Sequence, residues 1–383
     1  MKPGEVKIGP SKDRLVFDAL LIPRLVSVVR KHKIDVIHAH NYEATIAGIA
    51  ARWLTGRPLV YNGINSMADE LPSYDFFRNK SFALRLGRWL DRQVPRRADA
   101  LILLSDELKA YLEGLGASPA RTMVMPLGVD IGLLAGGEAS KVRECFNLGQ
   151  ATPIVMYAGS IENFQRVDLL VEAFGKVSSK HPGAVLMVAN NIANADLRAV
   201  LEAQAVRLGI ASRMIFAESV SLGELRDYLA AADVAVVPRP SCPGFPVKLL
   251  NYMAASRAIV SVAGSAKSVC HGYNAYVARN NDVDDLAAGI DLLLSDPTLR
   301  ATLGRRAFES LSGVYDWVTI SRATAMVYDH VCRRGRRIDK QALGAYLKAE
   351  YTPRLSPQGR DNPGGFLQSG PVEYPTFAAG PAR

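Results

Sequence analysis

Apolar and polar positions along this chain follow two periods in turn. Short unbroken apolar runs recur between longer stretches in which apolar residues return every three or four positions. The runs read as buried strands and the longer stretches as helices with one apolar face. Residues 17–32 predict a helix leading into a strand at 34–40, followed by a helix at 43–56 and a strand at 58–62. A basic helix within 75–97 precedes a strand at 99–105, a helix at 106–116 and a strand at 121–130. Continuous apolar strands separated by helices predict a parallel, doubly wound sheet.

Residues 134–150 have weak periodicity and read as a connection between two domains, the first spanning 1–133. The alternation restarts at 151 and runs to 314, with strands at 153–160, 184–189, 213–217, 233–237, 258–262 and 275–278 separated by helical stretches. This predicts a second α/β domain. A further amphipathic helix is predicted within 315–335. From 336 onward the pattern fades, with 11 Pro or Gly among residues 351–383, and the tail reads as disordered.

A chain of 383 residues suits two domains. Its longest apolar stretch, residues 15–29, is broken by Asp18, Pro23 and Arg24, too early to span a bilayer. The opening MKPGEVKIGPSKDR has no apolar core of a secretory signal. Cys145, Cys242, Cys270 and Cys332 are scattered without metal-type pairing, so the expectation is a cytoplasmic protein with reduced thiols and no bound metal.

A net charge of +9 implies an anionic partner. Basic residues are dispersed and not interleaved with aromatics, which argues against nucleic acid, except in residues 75–97. There Phe76, Phe77, Phe82 and Trp89 lie among Arg78, Lys80, Arg85, Arg88, Arg92, Arg96 and Arg97. Either this helix packs on the sheet with a solvated basic back, or it lies on an anionic membrane surface.

The stretch RPSCPGFPVKLLNYMAASRAIV, residues 239–260, follows one apolar strand and leads into another. Its Pro- and Gly-rich loop falls at the carboxyl end of a strand and opens a helix near Pro246, whose N-terminus suits a phosphate. Lys248 stands in the first turn, where the helix dipole favours an acid. It is either a phosphate ligand or a solvated cation.

These features resemble a family. DVIHAHN after a first helix, ADALILLSDELKAYL, a strand ending in GVD, MYAGSIENFQRVDLLVEAF, ADVAVVPRP, GFPVKLLNYMAA and a final helix with Trp317 are similar to the retaining nucleotide-sugar glycosyltransferases of family 4. The resemblance covers about residues 17–331. It implies the GT-B fold, two Rossmann-like parallel-sheet domains facing a cleft, with the final helix crossing back onto the first domain. It also implies transfer of a sugar from a nucleotide diphosphate, bound by the second domain, to an acceptor bound by the first. No cofactor is implied beyond the nucleotide-sugar substrate, because helix N-termini and basic side chains stabilise the leaving diphosphate in place of a metal.

The match departs from the family's pattern at several places. The paired glutamates fall on Pro243 and Asn251, the phosphate-binding Arg on Ser160 and its companion Lys on Gln165. Asn251 retains an amide for a ribose hydroxyl. Arg166, next to Gln165, and Lys248 are candidates to restore the lost charge on the diphosphate. The donor-side candidates are therefore Gly159, Ser160, Arg166, Gly244, Phe245, Pro246, Lys248 and Asn251; the acceptor-side candidates are His38, His40 and Asn41, at the end of a strand. The family's histidine falls on Ile64, and the glutamate of its GGxPE turn near Lys267. Its first glycine-rich turn has no counterpart, as though the chain began one βαβ unit late, which predicts an uncovered strand edge and apolar face. The expected activity is glycosyl transfer to a lipid-linked or cell-surface polysaccharide at the inner face of the cell membrane. The alternative is a GT-B protein that has lost catalysis and serves as a binding or partner subunit.

Overall fold

A computed structural model of the chain describes residues 12–73, 77–190, 194–218, 220–242, 245–311 and 315–333. The predicted tail, Gly244 and the first two residues of the basic stretch lie outside the described residues. The chain divides into two compact units, the first holding residues up to Gly128 together with the last helix, the second running from Val129 onward.

The first unit opens with α1 (Lys12–Lys31), β1 (Ile37–His40), α2 (Asn41–Thr55) and β2 (Leu59–Gly63). It continues with α3 (Met67–Glu70), α4 (Lys80–Gln93), β3 (Ala100–Leu103), α5 (Asp106–Gly114) and β4 (Thr122–Val124). The strands form a parallel sheet in the order β1-β2-β3-β4. On one face Ile37, Ala39, Leu59, Tyr61, Leu101 and Leu103 pack against α1, α2, α4 and α5. On the other face Val60, Ala100, Ile102 and Met123 pack against Ile320, Ala323 and Val327 of the last helix, Trp317–Cys332. That helix approaches closely at its start: a Cβ on Gly128 would stand 2.5 Å from the Trp317 ring. At the β1 end the sheet is an edge among the described residues, and Trp53 on α2 is 85% exposed.

The basic helix packs on one face and is open on the other. Ala83, Gly87 and Asp91, four residues apart, form its buried stripe, and a Cβ on Gly87 would lie 2.4 Å from the Met67 carbonyl oxygen. Asp91, 1% exposed, accepts hydrogen bonds from the Tyr42 hydroxyl (2.5 Å), the Tyr111 hydroxyl (2.9 Å) and the N–H groups of Met67 (2.8 Å) and Ala68 (3.0 Å). One carboxylate thus joins α2, α3, α4 and α5. The opposite face leaves Phe82 and Trp89 exposed beside Arg85, Arg88 and Arg92. Packing governs half of this helix, and the aromatic–basic half faces outward.

The second unit begins with two short helices, α6 (Ile131–Ala135) and α7 (Ala139–Cys145), where the pattern predicted a plain connection. Both pack on a later helix, and a Cβ on Gly137 would stand 2.0 Å from the Arg226 carbonyl oxygen. Helices this short span too little of the 3.6-residue period to show it. Then follow β5 (Ile154–Ala158), α8 (Val167–Val177), β6 (Val185–Ala189), α9 (Ala195–Arg207), β7 (Met214–Ala217) and α10 (Leu222–Ala231). The remainder is β8 (Val234–Val237), α11 (Val247–Ala254), β9 (Ala258–Val262), β10 (Tyr276–Ala278), α12 (Val283–Ser295) and α13 (Pro297–Glu309); the last helix becomes α14. The parallel sheet runs β10-β9-β8-β5-β6-β7, so the strand order reverses between β5 and β8. No described helix is long and apolar enough to cross a membrane.

Replacing Asp91 with Ala removes the acceptor of two hydroxyls and two N–H groups at a buried site. The expected cost is about 3 kcal/mol or more, since each orphaned donor costs roughly 1–3 kcal/mol. Chemical denaturation followed by circular dichroism reads it, and an unchanged unfolding midpoint would remove Asp91 from this role.

Candidate functional site

In an open parallel sheet, ligands bind beyond the carboxyl ends of the strands where the strand order reverses. Here that place lies beyond β5 and β8. β5 is followed by Gly159, at φ +141, and the chain turns through a 3-10 segment, Asn163–Gln165, into α8. β8 leads through Arg239 to α11, whose first turn carries Lys248.

Lys248 reaches back across the switch point. Its Nζ donates to the Tyr157 hydroxyl at 2.6 Å and to Gln165 Oε1 at 2.8 Å, and it lies 4.1 Å from the centroid of the Tyr157 ring. A Cβ on Gly159 would stand 3.0 Å from this Nζ, so the glycine answers both a left-handed backbone and a close approach. Among the described residues no carboxylate pairs with Lys248. Burial, with Arg239 adding to it, pushes the ammonium from its usual range down to about 7. A desolvated cation whose hydrogen-bond partners are neutral, at a helix N-terminus, leaves positive potential unsatisfied, which an anion would neutralise.

The other donor-side candidates divide. Asn251 stands three residues on from Lys248 on the same face of α11, half-buried, with no side-chain hydrogen bond among the described residues. Pro246 is buried at the helix N-cap. Phe245 packs its ring 6.2 Å from that of Tyr315. Ser160 offers only its carbonyl, which accepts from the Tyr157 hydroxyl at 2.8 Å.

Arg166 is not brought to Lys248. It adopts φ +53 at the N-cap of α8, and its guanidinium binds Asp168 through Nε at 3.0 Å and Nη2 at 3.0 Å, with Nη1 3.1 Å from Asn281. Its charge is paired locally with Asp168. The second cation of the switch point is Arg239, which the sequence reading left out. Its guanidinium lies 4.7 Å over the Phe164 ring and donates to the Ser241 carbonyl at 2.6 Å, and its charge is felt at Lys248, Tyr157 and Cys242. Its signal in the sequence was its place, two residues after the end of β8. The Cys242 thiol is buried and pushed up, the opposite of an activated nucleophile.

In the first unit His40 and Asn41 are exposed at the carboxyl end of β1, Asn41 at φ +64. His38, two residues before the end of β1, is half-buried and faces α14. Its Nδ1 stands 2.6 Å from the Tyr328 hydroxyl on α14, and its ring stacks 4.4 Å from that of His40. Burial, with His40 beside it, pushes His38 down to about 4, so it is neutral and belongs to the packing under α14. Among the described residues no group of three His, Cys, Asp or Glu is placed to hold a metal ion.

Residues 140–310 match the family model for glycosyl transferases group 1, and residues 5–128 match that for the glycosyl transferase 4-like domain. D-inositol 3-phosphate glycosyltransferase of Geodermatophilus obscurus is 27% identical over 74% of this chain and 63% of its own. That of Kribbella flavida is 28% identical over 77% of this chain and 70% of its own. The chain thus spans 63% to 70% of the length of these two curated relatives. Among solved structures, sucrose-phosphate synthase from Thermosynechococcus elongatus superposes with a TM-score of 0.72 at 20% identity, covering 86% of this chain and 82% of that one. HepE of Anabaena, in complex with UDP-glucose, gives 0.67 at 22% identity, covering 80% and 81%. Two parallel-sheet units in this order carry the GT-B fold, and the chain belongs to the family-4 glycosyltransferases.

Proposed function

We propose that this chain transfers a sugar, with retention, from a nucleoside diphosphate sugar to a lipid-linked or cell-surface polysaccharide acceptor at the cytoplasmic membrane face. The observation that carries this reading is Lys248, a buried cation without a carboxylate, held at the switch point between β5 and β8. Cleavage of the anomeric C–O bond leaves charge on the β-phosphate, and preorganised donors aimed at that charge supply the largest part of such catalysis. Lys248 and the N–H groups at the start of α11 would meet the diphosphate, with Arg239 beside them. Asn251 would take a ribose hydroxyl. Arg166 would have to exchange Asp168 for phosphate, so its part is small. The complex of HepE with UDP-glucose makes UDP the first nucleotide to test.

A second reading rests on Asn251 itself. Where the family's pattern has a glutamate, this chain has an amide, which accepts a weaker hydrogen bond than a carboxylate. A chain that binds the nucleotide and never turns it over would be a partner subunit. Titration with UDP-glucose followed by an assay for released UDP separates the two readings.

Lys248→Ala is expected to weaken nucleotide binding about 10- to 100-fold, the equivalent of roughly 1.5–3 kcal/mol for a charge-assisted hydrogen bond. Arg166→Ala is expected to change it less than threefold. Isothermal titration with UDP, GDP, ADP and UDP-glucose measures both, and equal affinity in wild type and Lys248→Ala would remove Lys248 from the donor site.

The depressed Lys248 gives two pH dependences of opposite sign. Above about 7 the free protein holds this amine neutral while the unfolded chain still binds a proton, so stability without ligand rises with pH from about 7 toward the ordinary lysine range. A diphosphate favours the ammonium, so nucleotide affinity falls as pH rises through the same window. Titrations in buffers of different ionisation enthalpy should therefore show proton uptake on binding near pH 8, and its absence would place Lys248 outside the phosphate contacts.

The outward half of α4, with Phe82 and Trp89 beside Arg85, Arg88 and Arg92, fits an anionic lipid surface. Sedimentation with phosphatidylglycerol vesicles should exceed that with phosphatidylcholine, fall with added salt, and drop severalfold in a Phe82→Ala, Trp89→Ala double variant. Equal partitioning to both vesicles at low salt would leave α4 a packed helix only.

A further inference from the structure

At the opposite end of the second sheet, where β8 and β9 begin, lies an open cavity of about 380 Å³. Arg257, Arg300 and Arg305 line it, together with Asp233 and, on the apolar side, Ala301 and Phe308. We propose that this cavity binds a phosphate group, as inorganic phosphate or a small phosphate monoester, at a site separate from the switch point.

The argument begins with charge. Asp233 receives Arg300 Nη2 at 3.3 Å and Arg143 Nη2 at 3.8 Å, and it also accepts from the Ile154 N–H at 2.9 Å. One carboxylate therefore serves two guanidiniums and a backbone donor. Arg257 has no carboxylate partner among the described residues. Its Nε donates to the Ala255 carbonyl at 2.6 Å and its Nη1 to those of Ala232 at 3.0 Å and Ala230 at 3.2 Å. Burial draws its guanidinium below the usual range, Asp233 opposes this, and Arg300 adds to it. Arg305 pairs with Glu309 at 2.8 Å and is otherwise exposed. Three guanidiniums, those of Arg257, Arg300 and Arg305, therefore line the cavity against Asp233, with Glu309 beside Arg305, which leaves an excess of positive charge that a phosphate would offset.

Geometry and size agree with this. Arg257 is held by three backbone carbonyls through Nε and Nη1, which leaves the two N–H groups of Nη2 to donate to a phosphate oxygen from a fixed position. A cavity of this volume is at the lower end of the range for small-molecule sites, with room for a phosphate and a short organic body against Phe308. The loop that carries Arg257 closes the carboxyl end of α11, whose other end carries Lys248.

The test is thermal unfolding with inorganic phosphate and with glycerol 3-phosphate, ionic strength held constant with sodium chloride. Two variants separate this site from the donor site without removing a side chain that supports backbone: Ala301→Glu, at an exposed position on α13, and Arg305→Ala. The expected result is a saturable rise in Tm with phosphate in wild type and in Lys248→Ala. At a given phosphate concentration the rise should be at least fivefold smaller in Ala301→Glu and reduced in Arg305→Ala, with the response to UDP unchanged in both. A tighter response to glycerol 3-phosphate would assign a phosphate monoester, and an equal or weaker one free phosphate. The proposal falls if wild type does not respond, if chloride alone reproduces the rise, if Ala301→Glu responds as wild type does, or if the response vanishes in Lys248→Ala.

Discussion

The switch point of the second unit depends on one desolvated ammonium whose hydrogen-bond partners are neutral. Lys248 sits at the positive end of α11, between a phenol and an amide, where both desolvation and the helix dipole oppose its charge. Such an arrangement costs stability, and an anion placed beside it would offset the cost. The neighbouring structure is shaped around it. Gly159 leaves room at its tip, Tyr157 offers hydroxyl and ring face, and Arg239 is kept at a distance by stacking on Phe164.

The same site shows how a family's charges can be rearranged while their place is kept. Gln165 stands where the resemblance expects a lysine, and Lys248 comes from the far side of the switch point to hydrogen-bond that glutamine. The cation has moved to another element, yet it ends beside the same loop. Arg166, the nearer candidate in the sequence, is instead bound to Asp168. Proximity along the chain was the weaker guide here, because the left-handed turn at Arg166 aims its side chain at α8.

Most of the fold was legible because buried parallel strands are continuous apolar runs and the helices between them are long enough to show their period. Every strand of both sheets falls within or beside a run read from the sequence. The short helices α3, α6 and α7 were not legible, since four to seven residues cannot display a 3.6-residue repeat. Lys248 and Asn251 were legible from the loop and helix that carry them, but the pairing of Lys248 with Gln165, 83 positions away, was not. The partner of His38 was hidden for a related reason: it is Tyr328, 290 positions later, and no local pattern reports a helix that returns from so far. Arg239 opens the stretch 239–260 yet was not picked out, because its contact with Phe164, 75 positions earlier, leaves no local pattern.

The returning helix has a consequence for synthesis on the ribosome. One face of the first sheet is closed by Ile320, Ala323 and Val327, and Trp317 follows Val124, the end of the last strand of that sheet, by 193 positions. At ribosomal speeds of roughly 5–20 residues per second, that interval lasts roughly 10 to 40 s. During it Val60, Ala100 and Ile102 have no permanent cover, while the sheet and helices of the second unit, from β5 to α13, are all made. The unit made first is therefore the one finished last, and its open apolar face is where a chaperone or an early misassembly would engage the nascent chain.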